Sequence, residues 1–157
     1  MIENTSSEML KEKLFLKRKN GRLTSDEKVL NKAQEYCEGY KCFLNRAKTE
    51  REAVKAAVKM AEEKGFKKFE YGKTYAAGEK VYINNRGKTL ALAVIGKQPV
   101  ENGVNITAAH IDSPRLDLKP NPLYEDIDLA LFKTHYYGGI KKYQWTAVPL
   151  ALHGVFV

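Results

Sequence analysis

With 157 residues, 27 Lys+Arg against 19 Asp+Glu and a formal net charge of +8, the chain has room for one domain, or one domain and part of another. A composition of 43% hydrophobic and 29% charged residues is that of a soluble globular protein and excludes collagen-like or disordered chains. No apolar run approaches the ~20 residues of a membrane helix, and the first twenty residues lack the apolar stretch and small cleavage residues of a secretory signal. A cytoplasmic protein with no membrane partner is therefore expected. The basic excess does not predict a nucleic-acid partner either, because Lys and Arg are scattered, acidic residues intervene throughout, and no aromatic–basic alternation occurs.

The first 65 residues read as helical. Leu10, Leu14 and Phe15 suggest a short amphipathic helix over Met9–Lys19, stopping at Asn20-Gly21. Thr24 and Glu27 have the spacing of a capping box, and behind them Val29, Leu30, Ala33, Tyr36, Cys37, Tyr40, Phe43 and Leu44 recur every three to four residues. That stripe is expected to lie against a core. Cys37 and Cys42, five residues apart, fall about 140° apart around a helix, so core thiols are expected and not a disulfide. A second box, Thr49 with Glu52, opens a helix whose stripe is Val54, Ala57, Val58 and Ala61, with Gly65 as its stop.

Beyond Gly65 the pattern turns to β. Val81 and Ile83 alternate with polar residues, Asn84 to Lys88 supplies a turn, and Leu90 to Ile95 is continuously apolar, which predicts a hairpin. Further strands are predicted over Val104–Ala109, Asp128–Tyr137 and Val148–Val157. The three prolines of Asp112–Asp126 (Pro114, Pro120, Pro122) predict an extended loop there. The chain stops on a strand-like run, Leu150 to Val157, and the order of elements leads us to expect the N-terminal portion of something longer.

Chemistry concentrates in Thr107-Ala108-Ala109-His110-Ile111-Asp112-Ser113-Pro114-Arg115-Leu116-Asp117. A strand of small and apolar residues delivers His110 to its C-terminal end, where α/β folds build sites. A neutral imidazole there can ligate a metal. Asp112 falls on the same side of an extended chain and is placed to accept the other imidazole N–H, which would fix tautomer and orientation. By itself the His-x-Asp spacing is unspecific, since a lone His at a strand end is more often structural. Ser113 has no evident base and is not expected to be a nucleophile. His135 beside aromatics reads as a surface or inter-strand residue, and His153 as packed or hydrogen-bonded. Asp117, Glu125, Asp126 and Asp128 are too irregularly spaced for a calcium loop and read as a solvated face. Tyr143 and Trp145 fit either interface or core packing.

The run His110-Ile-Asp-Ser-Pro-Arg-Leu-Asp-Leu-Lys-Pro, with Tyr137-Gly138-Gly139-Ile140 and Leu150 to Val157, resembles the aspartyl-aminopeptidase-type family of metallopeptidases. The likeness is close over the last 60 or so residues, and Lys48-Thr49-Glu50-Arg51-Glu52 extends it, less distinctively, into the helical half. It implies an α/β fold in which N-terminal helices and part of an α/β/α zinc-peptidase sheet, over residues 1–119, are followed by the start of an inserted β-rich oligomerisation domain over 120–157. It further implies peptide substrates, removal of N-terminal residues (acidic ones above all) by metal-activated water, two zinc ions, and homo-oligomers. By position His110 would match a zinc ligand and Asp112 the catalytic carboxylate that orients it.

The departure is also large. The bridging carboxylate, the further ligands and the general-base Glu come later in the family's chains, beyond the length of this one. The 157-residue chain alone is thus expected to bind zinc weakly and to lack peptidase activity. The alternative from another class is a non-catalytic assembly or interaction module.

Overall fold

The structure, a computed structural model, describes residues 6–16 and 18–155. The chain divides into two compact units, Met1–Tyr40 and Lys41–Val157.

In the first unit, α1 (Ser6–Leu14) begins earlier and stops sooner than the spacing predicts; Lys17 lies outside the described residues. Leu14, Phe15 and Leu16 are all exposed, so no packing prolongs a helix too short to persist by propensity alone. The predicted Thr24–Glu27 box does not form. Thr24 instead closes a single turn, α2 (Gly21–Thr24), its hydroxyl donating to the Asn20 carbonyl at 3.2 Å, while Asn20 Oδ1 caps that turn by accepting from the Arg22 N–H at 3.0 Å. The cap of α3 (Glu27–Arg46) falls to Asp26, whose Oδ1 accepts the Val29 N–H at 2.8 Å. A carboxylate suits the positive end of a helix better than a hydroxyl does. The α3 stripe, expected against a core, buries no residue: Val29, Tyr36, Tyr40 and Leu44 are exposed, and the free thiols of Cys37 and Cys42 are exposed with them.

The second unit is organised around α4 (Glu50–Glu63), which begins and ends as the sequence predicts. The Thr49 hydroxyl accepts the Glu52 N–H at 3.3 Å, and Glu52 Oε2 accepts the Thr49 N–H at 3.0 Å, satisfying two orphan donors reciprocally. At the other end Gly65 adopts φ 83°; its N–H reaches the Glu62 carbonyl at 2.9 Å and the Phe66 N–H reaches Ala61 at 3.0 Å. This double closure needs a left-handed residue, which only glycine supplies without strain. Between the caps, Ala53, Val54 and Ala61 are buried, Val54 to 1% exposure.

The partner of this stripe is a three-stranded sheet in the order β1 (Lys67–Lys68), β2 (Lys80–Asn85), β3 (Thr89–Val94), with β1 parallel and β3 antiparallel to β2. Val81 and Tyr82 are buried. Polar groups pin helix to sheet around the apolar contact: the Tyr82 hydroxyl donates to Glu62 at 2.7 Å, Lys80 Nζ to the Lys64 carbonyl at 3.1 Å, and Arg51 to the Arg86 carbonyl at 3.3 Å. The predicted hairpin turn is present, with Arg86 and Gly87 both at positive φ as a type I′ turn requires.

From Gly103 to Pro114 the chain has no regular secondary structure, so the predicted strand over Val104–Ala109 is absent. Among the described residues no strand pairs with it, although β3 lines the same cleft as residues 109–112, and Val104 and Ile106 are exposed. The predicted proline loop, conversely, is a strand. β4 (Arg115–Asp126) pairs antiparallel with β5 (Leu129–Tyr137), the latter as predicted. The ladder runs from Arg115↔Tyr137 to Leu118↔Thr134, shifts register, and resumes from Leu123↔Phe132 to Asp126↔Leu129. Pro120 and Pro122 fall within the irregular stretch, where a missing N–H costs no ladder bond. A short helix, α5 (Lys142–Trp145), follows, with Tyr143 exposed. The predicted terminal strand does not form over residues 148–155, and Phe156 and Val157 lie outside the described residues.

Candidate functional site

His110 and Asp112 sit on the unpaired segment just before β4, and the first residues of that strand fix what surrounds them. Pairing Arg115 with Tyr137 sets the last residue of β5 across from the start of β4. From there the Tyr137 hydroxyl donates to Asp112 Oδ2 at 2.7 Å, and Asp112 Oδ1 takes His110 Nδ1 at 2.7 Å. One carboxylate thus bridges a phenol and an imidazole. Arg115 closes the arrangement from the side: its guanidinium lies 4.3 Å from the centre of the Tyr137 ring, its Nε donates to Asp117 at 2.7 Å, and it approaches Glu50 at 3.7 Å.

A positive-φ turn after β5 makes this possible. Gly138 adopts φ 74°, which glycine takes without strain, and this turn sets the end of β5 against the Ser113-Pro114 corner, where a Cβ would make only ordinary contact with Pro114 at 3.4 Å. Tyr137 is consequently within reach of a carboxylate 25 residues earlier in the chain.

The electrostatics follow from the bonds. The Tyr137 hydroxyl first, and His110 second, hold the Asp112 carboxyl below the usual carboxylate range. The same carboxylate pushes the Tyr137 hydroxyl up, first by accepting its hydrogen bond, which ionisation would break, and then by its negative charge. Asp112 stays an anionic acceptor. With Nδ1–H donated to it, a neutral His110 keeps the lone pair on Nε2, the nitrogen left available to a cation. The imidazole is 90% exposed, so its direction is set by that hydrogen bond and hardly at all by packing.

Both residues line a cleft of ≈ 560 Å³ whose opposite wall is the first two turns of α4, with Glu50, Ala53, Val54 and Ala57, and whose flank is β3 with Lys88 before it. The cleft therefore has an apolar floor on the most buried helix of the unit and a polar rim carrying His110, Asp112, Arg115 and Glu50. Among the described residues, no three His, Cys, Asp or Glu side chains cluster closely enough to hold an ion. The donor set present fits one corner of a zinc site, an imidazole steered by a carboxylate, and not a complete one.

The other histidines stand apart. His135 stacks on Tyr136 with ring centres 5.1 Å apart and faces Asp117 across the ladder. His153 Nδ1 meets Glu52 Oε1 at 2.9 Å and holds that carboxyl below its ordinary value, with help from Thr49. Glu125 accepts the Asp128 N–H at 3.1 Å and serves the β4–β5 turn. Sequence reasoning missed the roles of Tyr137, Arg115 and Glu50. The signal for Tyr137 was its place at the end of a predicted strand, but reading β4 as a loop removed the ladder that aligns it with Asp112.

A family model described as aminopeptidase I zinc metalloprotease (M18) matches residues 43–157. A Clostridium acetobutylicum protein named "Probable M18 family aminopeptidase 1" is 54% identical over 136 residues, covering 84% of this chain and 29% of its own length. Its counterpart from Thermotoga maritima is 49% identical over 123 residues, 78% of this chain and 26% of its own. Among solved structures, aminopeptidase I from Borrelia burgdorferi superposes with TM-score 0.77 at 43% identity over 83% of this chain and 32% of that one. Aminopeptidase I from Clostridium acetobutylicum gives 0.68 at 47% identity over 86% and 31%. The chain spans less than a third of each of these proteins.

Proposed function

The chain belongs to the aminopeptidase I zinc metalloprotease (M18) family, and from that premise we propose that its residues supply the N-terminal part of a dinuclear zinc aminopeptidase acting on peptides, with acidic N-terminal residues preferred. The observation that carries this reading is the 2.7 Å bond between His110 Nδ1 and Asp112 at the rim of the cleft. In the reading, His110 offers Nε2 to one zinc ion and Asp112 holds the ring in that tautomer. When bound, two zinc ions polarise the scissile carbonyl and lower the pKa of water at the site. Ala53, Val54 and Ala57 give the cleft an apolar floor, and Glu50 and Arg115 approach one another at its rim.

The remaining ligands and the general base belong, on this reading, to the part of the family's chains that this one does not span. Taken alone, the 157 residues should bind zinc weakly and show no turnover. The boundary near residue 120, where an oligomerisation domain would begin, and the homo-oligomer itself belong to the same proposal. They are supported by the apolar residues that the β4–β5 hairpin leaves exposed, among them Leu123, Leu129 and Phe132. Free thiols at Cys37 and Cys42 suit the reducing cytoplasm.

A chimera tests the assignment. Residues 43–155 replace their counterparts in the Clostridium acetobutylicum relative, and hydrolysis of aspartyl, glutamyl and leucyl arylamides is measured with zinc present. The expected result is turnover by the chimera, none by the isolated chain, and a loss of 100-fold or more on His110→Ala. An active His110→Ala chimera would sink the ligand assignment. A second reading, an assembly module without an active site of its own, draws on the lack of a three-donor cluster among the described residues. It requires that the isolated chain form oligomers and bind no zinc.

A further inference from the structure

We propose that Tyr137 is a positioning residue: its hydroxyl clamps Asp112, and through Asp112 it sets the direction and tautomer of His110. The inference rests on the zinc reading above for the purpose of the clamp, and on geometry alone for its existence. His110 is nearly free of packing, so a single hydrogen bond to Asp112 holds it. A carboxylate with only that bond would still turn about its own Cα–Cβ and Cβ–Cγ axes and carry the ring with it. The second bond, from the Tyr137 hydroxyl to the other carboxylate oxygen at 2.7 Å, removes those rotations.

The donor is itself held. Tyr137 ends β5 opposite Arg115 in the ladder, its ring lies beneath the Arg115 guanidinium at 4.3 Å, and Arg115 is fixed in turn by Asp117 and Glu50. Gly138, at φ 74°, turns the chain after Tyr137 against Pro114, next to the His110 segment. The clamp therefore transmits the rigidity of a two-stranded ladder to a segment that has no ladder of its own.

Position and electronics oppose one another here, which makes the claim sharp. A hydroxyl that donates to Asp112 withdraws charge from it and weakens its pull on the imidazole N–H. If electronics governed, Tyr137→Phe would strengthen the His110–Asp112 bond and tighten zinc. If positioning governs, Tyr137→Phe loosens the ring and weakens zinc.

The experiment is ¹⁵N NMR of the histidine rings in the 157-residue chain, first without metal and then titrated with zinc. Wild type is expected to show His110 as the Nδ1–H tautomer, with Nε2 responding to zinc. Tyr137→Phe, which keeps the ring and its contact with Arg115, should give mixed tautomers and about tenfold weaker zinc binding, within the range for loss of an outer partner of a metal ligand. In an Asp112→Ala background, Tyr137→Phe should change neither quantity, because the effect runs through Asp112. An unchanged tautomer and affinity in Tyr137→Phe would overturn the proposal, as would tighter zinc or an equal effect in both backgrounds. Zinc that leaves wild-type His110 unmoved would defeat the zinc reading, while the metal-free tautomer comparison would still decide whether Tyr137 positions the ring. Should Tyr137→Phe fail to fold, 3-fluorotyrosine at 137 alters the donor and leaves the ring in place; ring signals of His110 that ignore it would count against the clamp.

Discussion

Helices α3 and α4 carry apolar stripes of similar regularity, and only one of them is buried. Along α4, Ala53, Val54 and Ala61 are covered by β2 and β3. Along α3, no residue is buried. The difference is not in the helices, since α3 is the longer and has a carboxylate cap. It lies in what each sequence places beside them. The residues after α4 turn back through Gly65 into strands whose own apolar residues need a cover, so helix and sheet satisfy each other within 45 residues. Periodicity specifies that a face wants a partner and says nothing of where the partner is. The same helix that finds one also forms the wall of the cleft, which ties the position of the site to the best-packed part of the chain.

This contrast can be broken at Val54. Val54→Ala removes two methyl groups from the most buried side chain and should cost about 2 kcal/mol in chemical denaturation, moving the cleft wall with it. A smaller effect is expected at the cap of the same helix. Glu52 is held below its ordinary value by His153 and Thr49, so its contribution to stability is fully present above that ordinary value, about 4.5, and is lost as pH falls through the lower folded value. Melting temperature should therefore drop more steeply in wild type than in Glu52→Gln as pH falls below about 4.5. Because the pair is near the surface and screened, the difference should be about 1 kcal/mol or less. The smallest effect sharpens the comparison from the other side: Tyr36→Gln, on the uncovered α3 face at 79% exposure, should change stability by less than about 0.5 kcal/mol. A loss near that of Val54→Ala would mean that the α3 stripe is covered after all.

What could be read from the sequence was local. The Thr49–Glu52 box, the Gly65 stop, the 80–94 hairpin and the His110–Asp112 pair each depend on residues a few positions apart, and each is present. The misreadings share the opposite property. Val104–Ala109 has the composition of a strand but forms no ladder among the described residues. Arg115–Asp126 contains prolines that argue against a strand, yet β5 supplies a ladder on both sides of them. Cys37 and Cys42 have the character of core residues on a helix in which no residue is buried. At the site, the two-residue spacing made His110–Asp112 visible, whereas Tyr137, 25 residues away, depended on a register that the loop reading had discarded.

The register shift between Leu118 and Leu123 divides the hairpin into two halves. The half nearest the His110 segment shares its ladder with Tyr137, and the far half ends in the Ile127-Asp128 turn, where both residues have positive φ. A distortion introduced at the tip should be taken up at the proline stretch, where no ladder bond resists it. The outer loop is thus the natural place to graft an epitope or fluorophore, and a reporter inserted between Ile127 and Asp128 should leave the imidazole's tautomer undisturbed.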